Sequence, residues 1–198
     1  MGVSDRPPAG SRRFLDRGPE ALAALWGFAE STLFFLVPDV LLTWLALTVP
    51  RRGLRACYWA LGGALAGAAV MIAWAARAPA GVEAALLAVP GISQPLVELV
   101  RGQLVAEGLP AILMGPVQGI PYKVYVVEAT VLGLSAWKLL AVSVPARLLR
   151  FLLLTLLAIG IARGPLRRLS PRTLRVLHLA AWTVFYVVYF VAMRDPLN

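Results

Sequence analysis

The chain has 198 residues, 60% of them apolar and 15% charged, with a mean hydropathy of +0.77. That composition excludes disorder and excludes a soluble globular domain, which runs near ~45–50% apolar and about a quarter charged. A formal charge of +9 would point to nucleic acid in a soluble chain, but in a membrane chain Lys and Arg set orientation first, so no nucleic-acid partner is expected.

Residues 1–20 are expected to form a solvated basic tail, because Arg, Pro and Gly recur and nothing there has the layout of a signal peptide. Residues 21–50 are apolar enough to span, yet Glu30, Pro38 and Asp39 interrupt them. Proline lacks a backbone donor and breaks a helix, so a re-entrant hairpin with two arms meeting near Pro38 is predicted. Residues 54–76 hold the clearest span. The uncharged run from Ala56 to Ala76 covers about 32 Å, against a hydrocarbon core of roughly 30 Å. Gly62, Gly63, Ala66 and Gly67 within it offer small faces on which another helix can pack.

Residues 77–108 contain Pro79, Pro90 and Pro95 with Glu83, Glu98 and Arg101, which predicts an interfacial segment of one or two short helices. Residues 109–134 turn apolar again and are broken by Pro110, Pro116, Gly119 and Pro121, with Lys123 and Glu128 at depth. They are expected to form a second re-entrant hairpin turning at Gly119 and Pro121. Residues 136–162 read as a span with Lys138 near its start and Arg147 and Arg150 at mid-length. A basic cytoplasmic loop, 163–175, and a last span, 176–193, follow. Tyr186, Tyr189 and Phe190 on that span read as packing or interface anchors. His178, the only histidine, reads as an interfacial helix-end residue, with a proton relay as the alternative.

Cys57 is the only cysteine, so no intrachain disulfide and no cysteine-based metal centre can form. No metal, no cofactor and no enzymatic activity are expected, since no nucleophile, phosphate-loop or His/Glu metal motif is present.

A shift of 83 residues places Pro38 on Pro121 and the helix beginning near Leu54 on the one beginning near Trp137. Each copy is a broken hairpin followed by a full span. Arg51, Arg52 and Arg55 precede the first span, whereas Arg163, Arg167 and Arg168 follow the second, and the positive-inside rule puts both clusters in the cytoplasm. The copies must then run in opposite directions. The expected fold is all-α and integral to the membrane: two inverted repeats plus a C-terminal transmembrane helix, with the N-terminus cytoplasmic and Asn198 extracytoplasmic.

Six ionisable residues fall inside apolar segments: Glu30, Asp39, Lys123, Glu128, Arg147 and Arg150. At about 2.5–3.5 kcal/mol each at the centre of a bilayer, unpaired they would cost on the order of 15–20 kcal/mol, at or above a domain's net stability. They must pair or face water, and a buried network that only holds helices together is the plainer reading. Arg147 and Arg150, spaced i, i+3, share a helix face and suit a phosphate or carboxylate. Glu30 and Asp39 flank the first break and are candidate proton carriers. Lys123 is either a further anion contact or a counter-ion of Glu30 or Asp39. Glu128, near the outer interface, and Gln118 are additional candidates.

At these residues the sequence resembles the DedA family of membrane proteins, also called the VTT or SNARE-associated family, in particular its YqaA-like branch. The resembling segments are FAESTLFFLVPDVLL (28–42), GPVQGIPYKVY (115–125) and RLLRF (147–151). The resemblance implies two re-entrant hairpins in an inverted repeat and movement of lipid-linked phosphate carriers such as undecaprenyl phosphate, coupled to the proton-motive force. It also implies that Glu30 and Asp39 are the essential acidic pair, Arg147 and Arg150 the essential arginines, and Lys123 the basic position of the second hairpin. The chain departs from the family where Glu128-Ala129 replaces a small Ala-Gly pair and where Ala146 replaces a glycine.

The expected function is therefore a flippase or scramblase of a phosphate-bearing lipid in the plasma (inner) membrane, with membrane lipids and protons as partners. Homo-oligomer formation is left open. The alternatives are a proton-coupled transporter of a small ion or solute and a non-transporting membrane scaffold.

Overall fold

Proline punctuation decides where most of the helices begin. The computed structural model describes residues 9–192, with side chains from 18 to 191 except 116 and 117. Residues 1–8 of the expected tail and residues 193–198, with Asn198, lie outside the described residues. Within them run nine helices and no strand: α1 (Ala9–Ser31), α2 (Asp39–Thr48), α3 (Pro50–Arg77), α4 (Pro79–Leu87), α5 (Gln94–Glu107), α6 (Ala111–Gln118), α7 (Tyr122–Val131), α8 (Ala136–Arg163) and α9 (Pro171–Ala192). Helices α2 to α7 and α9 each start at or directly beside a proline. There its missing N–H costs nothing and its fixed φ is already helical.

Helices α3, α8 and α9 are long and apolar enough to cross a membrane, at the three places where the sequence predicts spans. Two short helices, α4 and α5, occupy the expected interfacial segment. Helix α1 already starts at Ala9, and Glu20 at the tail's far end is buried, with Oε1 3.2 Å from Nη2 of Arg55 on α3.

The core is split in two. One apolar cluster joins Ala23, Leu42, Ala56, Cys57, Ala60 and Phe151, from α1, α2, α3 and α8. The other gathers the second half of α3, helices α4 to α7 and the first half of α8. Helix α3 enters the first cluster with Ala56 and Ala60 and the second with Ala68 to Ala75. Helix α8 does the reverse, with Leu139 in the second cluster and Phe151 in the first. The two 28-residue helices are therefore antiparallel, each about 42 Å long, and the seam between the clusters falls near the middle of both. The arginines that open α3 and Arg163 that closes α8 lie at the same end of the molecule.

Helices α1 and α3 make the most extensive contact in the fold. A Cβ at Gly63 would run into the carbonyl of Ala24, and one at Gly27 into the carbonyl of Ala60, so the two backbones meet with nothing between them. Gly67 lies on this face as well, whereas Gly62 faces open space and Ala66 is exposed. Helix α7 is buried all round, from Tyr122 through Ala129, between α3, α4, α5, α6 and α8. Helix α9 is the opposite, with none of its spanning stretch buried.

Candidate functional site at the seam between the two cores

Two of the breaks between helices frame the site. Between α1 and α2, residues 32–38 are non-helical. Between α6 and α7, Gly119 takes the left-handed conformation at φ +74° and Pro121 stands directly before Tyr122. Pro38 likewise stands directly before Asp39 at the start of α2.

Both lips of the first break carry a buried carboxylate, and α8 supplies a guanidinium to each. Glu30, at the end of α1, is gripped by Arg147 through both oxygens: Nη2 donates to Oε2, and Nη1 donates to Oε1 at 3.3 Å. Asp39, the first residue of α2 and fully buried, has Oδ2 2.8 Å from Nη2 of Arg150. That contact is an ion pair without hydrogen-bond alignment, and neither Asp39 oxygen has a hydrogen-bond partner among the described residues. A carboxylate there is favoured by the positive end of α2. The i, i+3 spacing of Arg147 and Arg150 is what brings them to two lips of one break.

Lys123 completes the set. It lies at the start of α7, where the helix dipole opposes a cation, and its Nζ donates to the carbonyl of Phe34 inside the break at 2.6 Å. Other bared backbone groups of the break also find side chains. The Trp26 indole donates to the Leu36 carbonyl at 3.0 Å, and the Val37 N–H donates to the Tyr186 hydroxyl at 2.9 Å. Non-helical backbone at this depth stands only when its polar groups are satisfied within the protein.

Arg147 lies between two rings, 4.9 Å from the centroid of Tyr122 and 4.8 Å from that of Phe151. Tyr122 belongs to one apolar cluster and Phe151 to the other, so the charge layer occupies the seam. The Tyr122 hydroxyl donates to Ser143 Oγ at 2.6 Å, which donates to the Leu139 carbonyl at 2.7 Å. Arg147 is 1% exposed, whereas Arg150 is 24% exposed, which makes it the member of the group that the surroundings reach.

Of the six charges inside apolar segments, five gather at the seam and Glu128 stands apart. Glu128 is fully buried on α7 and bonds outward to Arg101 on α5, with Nε 2.7 Å from Oε2; Arg101 in turn lies 3.9 Å from Glu83. Its partner is thus a residue of the interfacial segment. Gln118 is also remote from the seam, its Oε1 accepting from Gln103 Nε2 at 2.9 Å. The five that remain are three cations and two carboxylates, leaving one positive charge in excess at the seam.

His178 is more than a helix-end residue. Thr43 Oγ1 donates to the Asp39 carbonyl at 2.6 Å and meets His178 Nε2 at 2.8 Å, so the ring supplies the proton of that second contact, and its buried Nδ1 has no partner among the described residues. Trp44 and Trp182 flank it edge-on.

Sequence reasoning missed Tyr122, Phe151, Ser143, Thr43 and Arg101. Phe151 had a readable signal, its i, i+4 spacing from Arg147; the others depend on which helices meet. No known family model, no curated protein and no solved structure matches the chain.

Proposed function

We propose that the chain belongs to the DedA (VTT) family and moves a phosphate-bearing lipid, a polyprenyl phosphate or a phospholipid, across the plasma (inner) membrane without enzymatic chemistry. In this reading α1/α2 and α6/α7 are re-entrant hairpins of an inverted repeat, the basic end is cytoplasmic and the C-terminus extracytoplasmic. Reciprocal packing supports the repeat. Helix α2 packs on α8 and α7 on α3, and α2 and α7, ten residues each, begin at equivalent positions on the expected shift.

The observation that carries the function is the excess positive charge at the seam with Arg150 partly open. A buried cation in excess invites an anion, and a guanidinium fork matches phosphate. Glu30 and Asp39 are the proposed proton carriers. Protonating Asp39 weakens one ion pair, to the partly exposed Arg150, whereas protonating Glu30 breaks a two-point grip by the buried Arg147. The bidentate Glu30–Arg147 pair, almost wholly buried, is the observation that favours the second reading, a scaffold in which the charges only join helices.

Liposomes carrying the full chain and a fluorescent polyprenyl phosphate separate the two. Arg150→Gln, its folding checked by thermal unfolding because the buried Asp39 loses its counter-ion, is expected to slow lipid movement by tenfold or more in the folded protein, since a hydrogen bond to a charged group contributes roughly 1.5–3 kcal/mol. Wild-type protein that moves no lipid at any pH overturns the transport reading.

A further inference from the structure

A groove of about 570 Å³ runs between the first break and α9. Leu36 and Val40, either side of Asp39, form one wall, and α9 forms the other from Leu179 to Val191, a run of about 18 Å along the helix. Midway along it stands Tyr186, whose hydroxyl accepts from the N–H of Val37, two residues before Asp39.

We propose that this groove seats the hydrocarbon chain of a lipid whose anionic head group is held at Arg150 midway across the bilayer. This rests on the lipid-transport reading and names the path its substrate takes. Three observations select a lipid over other occupants. The groove is predominantly apolar in lining, and it opens beside α9, none of whose spanning residues is fully buried and whose outer side is free to face hydrocarbon. It adjoins the seam where one cation is in excess, which complements a phosphate. Finally, Val40 of the groove wall adjoins Asp39, whose Oδ2 lies 2.8 Å from Nη2 of the partly exposed Arg150, so head and tail need not be parted.

The test uses two full-length variants in liposomes, with a photoreactive benzophenone amino acid in place of Leu179 in the groove or of Val184, which is 61% exposed and off its lining. Each is irradiated with a polyprenyl monophosphate and, separately, with the polyprenyl alcohol of equal length. At Leu179 the phosphate is expected to give about tenfold more lipid adduct than the alcohol, the factor one charge-assisted contact supplies; at Val184 the two lipids label equally. Equal labelling at both positions means ordinary boundary lipid and overturns the proposal. A protein–protein adduct at Leu179 also overturns it, in favour of a second copy covering the groove. Transbilayer movement of the same phosphate is measured on wild-type protein in parallel. Selective labelling without movement supports the groove and removes the transport reading, whereas movement without selective labelling removes the groove alone.

Discussion

The two broken helix pairs contain the same kind of interruption and satisfy it by opposite means. At α1/α2, Glu30 is held by Arg147 from 117 residues away and the Phe34 carbonyl by Lys123 from 89 away. At α6/α7, Glu128 is held by Arg101 from 27 residues away and the Tyr125 hydroxyl by Gln103 from 22. The bonds at Glu128 and Tyr125 form as soon as α5 docks, whereas Glu30, the Phe34 carbonyl and the Val37 N–H wait for α8, α7 and α9. Sequence separation thus marks which pair closes locally and which one is the meeting place of the two halves. The excess charge is found at the meeting place.

The largest effect that would break this comparison is expected at Arg147. Arg147→Leu leaves Glu30 buried without a counter-ion and should destabilise the protein by about 3–5 kcal/mol, whereas Glu30→Leu with Arg147→Leu should recover most of that loss, because apolar replacement of a whole buried pair is near neutral. Thermal unfolding in detergent reads both, and lipid movement should be lost in both. A double variant as unstable as the single one would mean that the pair does not account for the energetics of the first break.

A smaller effect should follow from neutralising the second pair. Arg101 is 40% exposed, so solvent screening holds the loss in the double variant Arg101→Gln/Glu128→Gln to about 1 kcal/mol, with lipid movement unchanged within experimental scatter. A tenfold loss of movement would erase the functional distinction between the two breaks. The smallest effect belongs to Tyr186→Phe, which removes one hydrogen bond to Val37 at a cost of about 1 kcal/mol. It should appear as faster hydrogen exchange of the Val37 amide, with the amides of α7 unaffected.

What the sequence made legible is what covalent chemistry fixes locally. Proline cannot continue a hydrogen-bond ladder, so the interruptions at Pro38 and Pro121 were readable, and fixed helical pitch put Arg147 and Arg150 on one face. The division of the six charges was not readable. Glu128 is paired by Arg101 because α5 packs on α7, and no local pattern in either segment carries that information. The same holds for Tyr122, whose place beside Arg147 follows from the docking of α7 against α8. Helix α1 begins earlier than its composition predicts, and at the end of the expected tail Glu20 meets Arg55 on α3, a tertiary contact that composition does not record.

The backbone-to-backbone contact at Gly27 and Gly63 also limits how the molecule can move. With no side chain between them, α1 and α3 have no lubricating layer, and a slide of α1 by one residue would drive a methyl group into a carbonyl. The pair behaves as a fixed post. Helix α2 is seated on α3 in the same way, since a Cβ at Gly53 would run into Ala46, so any movement would fall to α9, which has no fully buried residue in its spanning stretch.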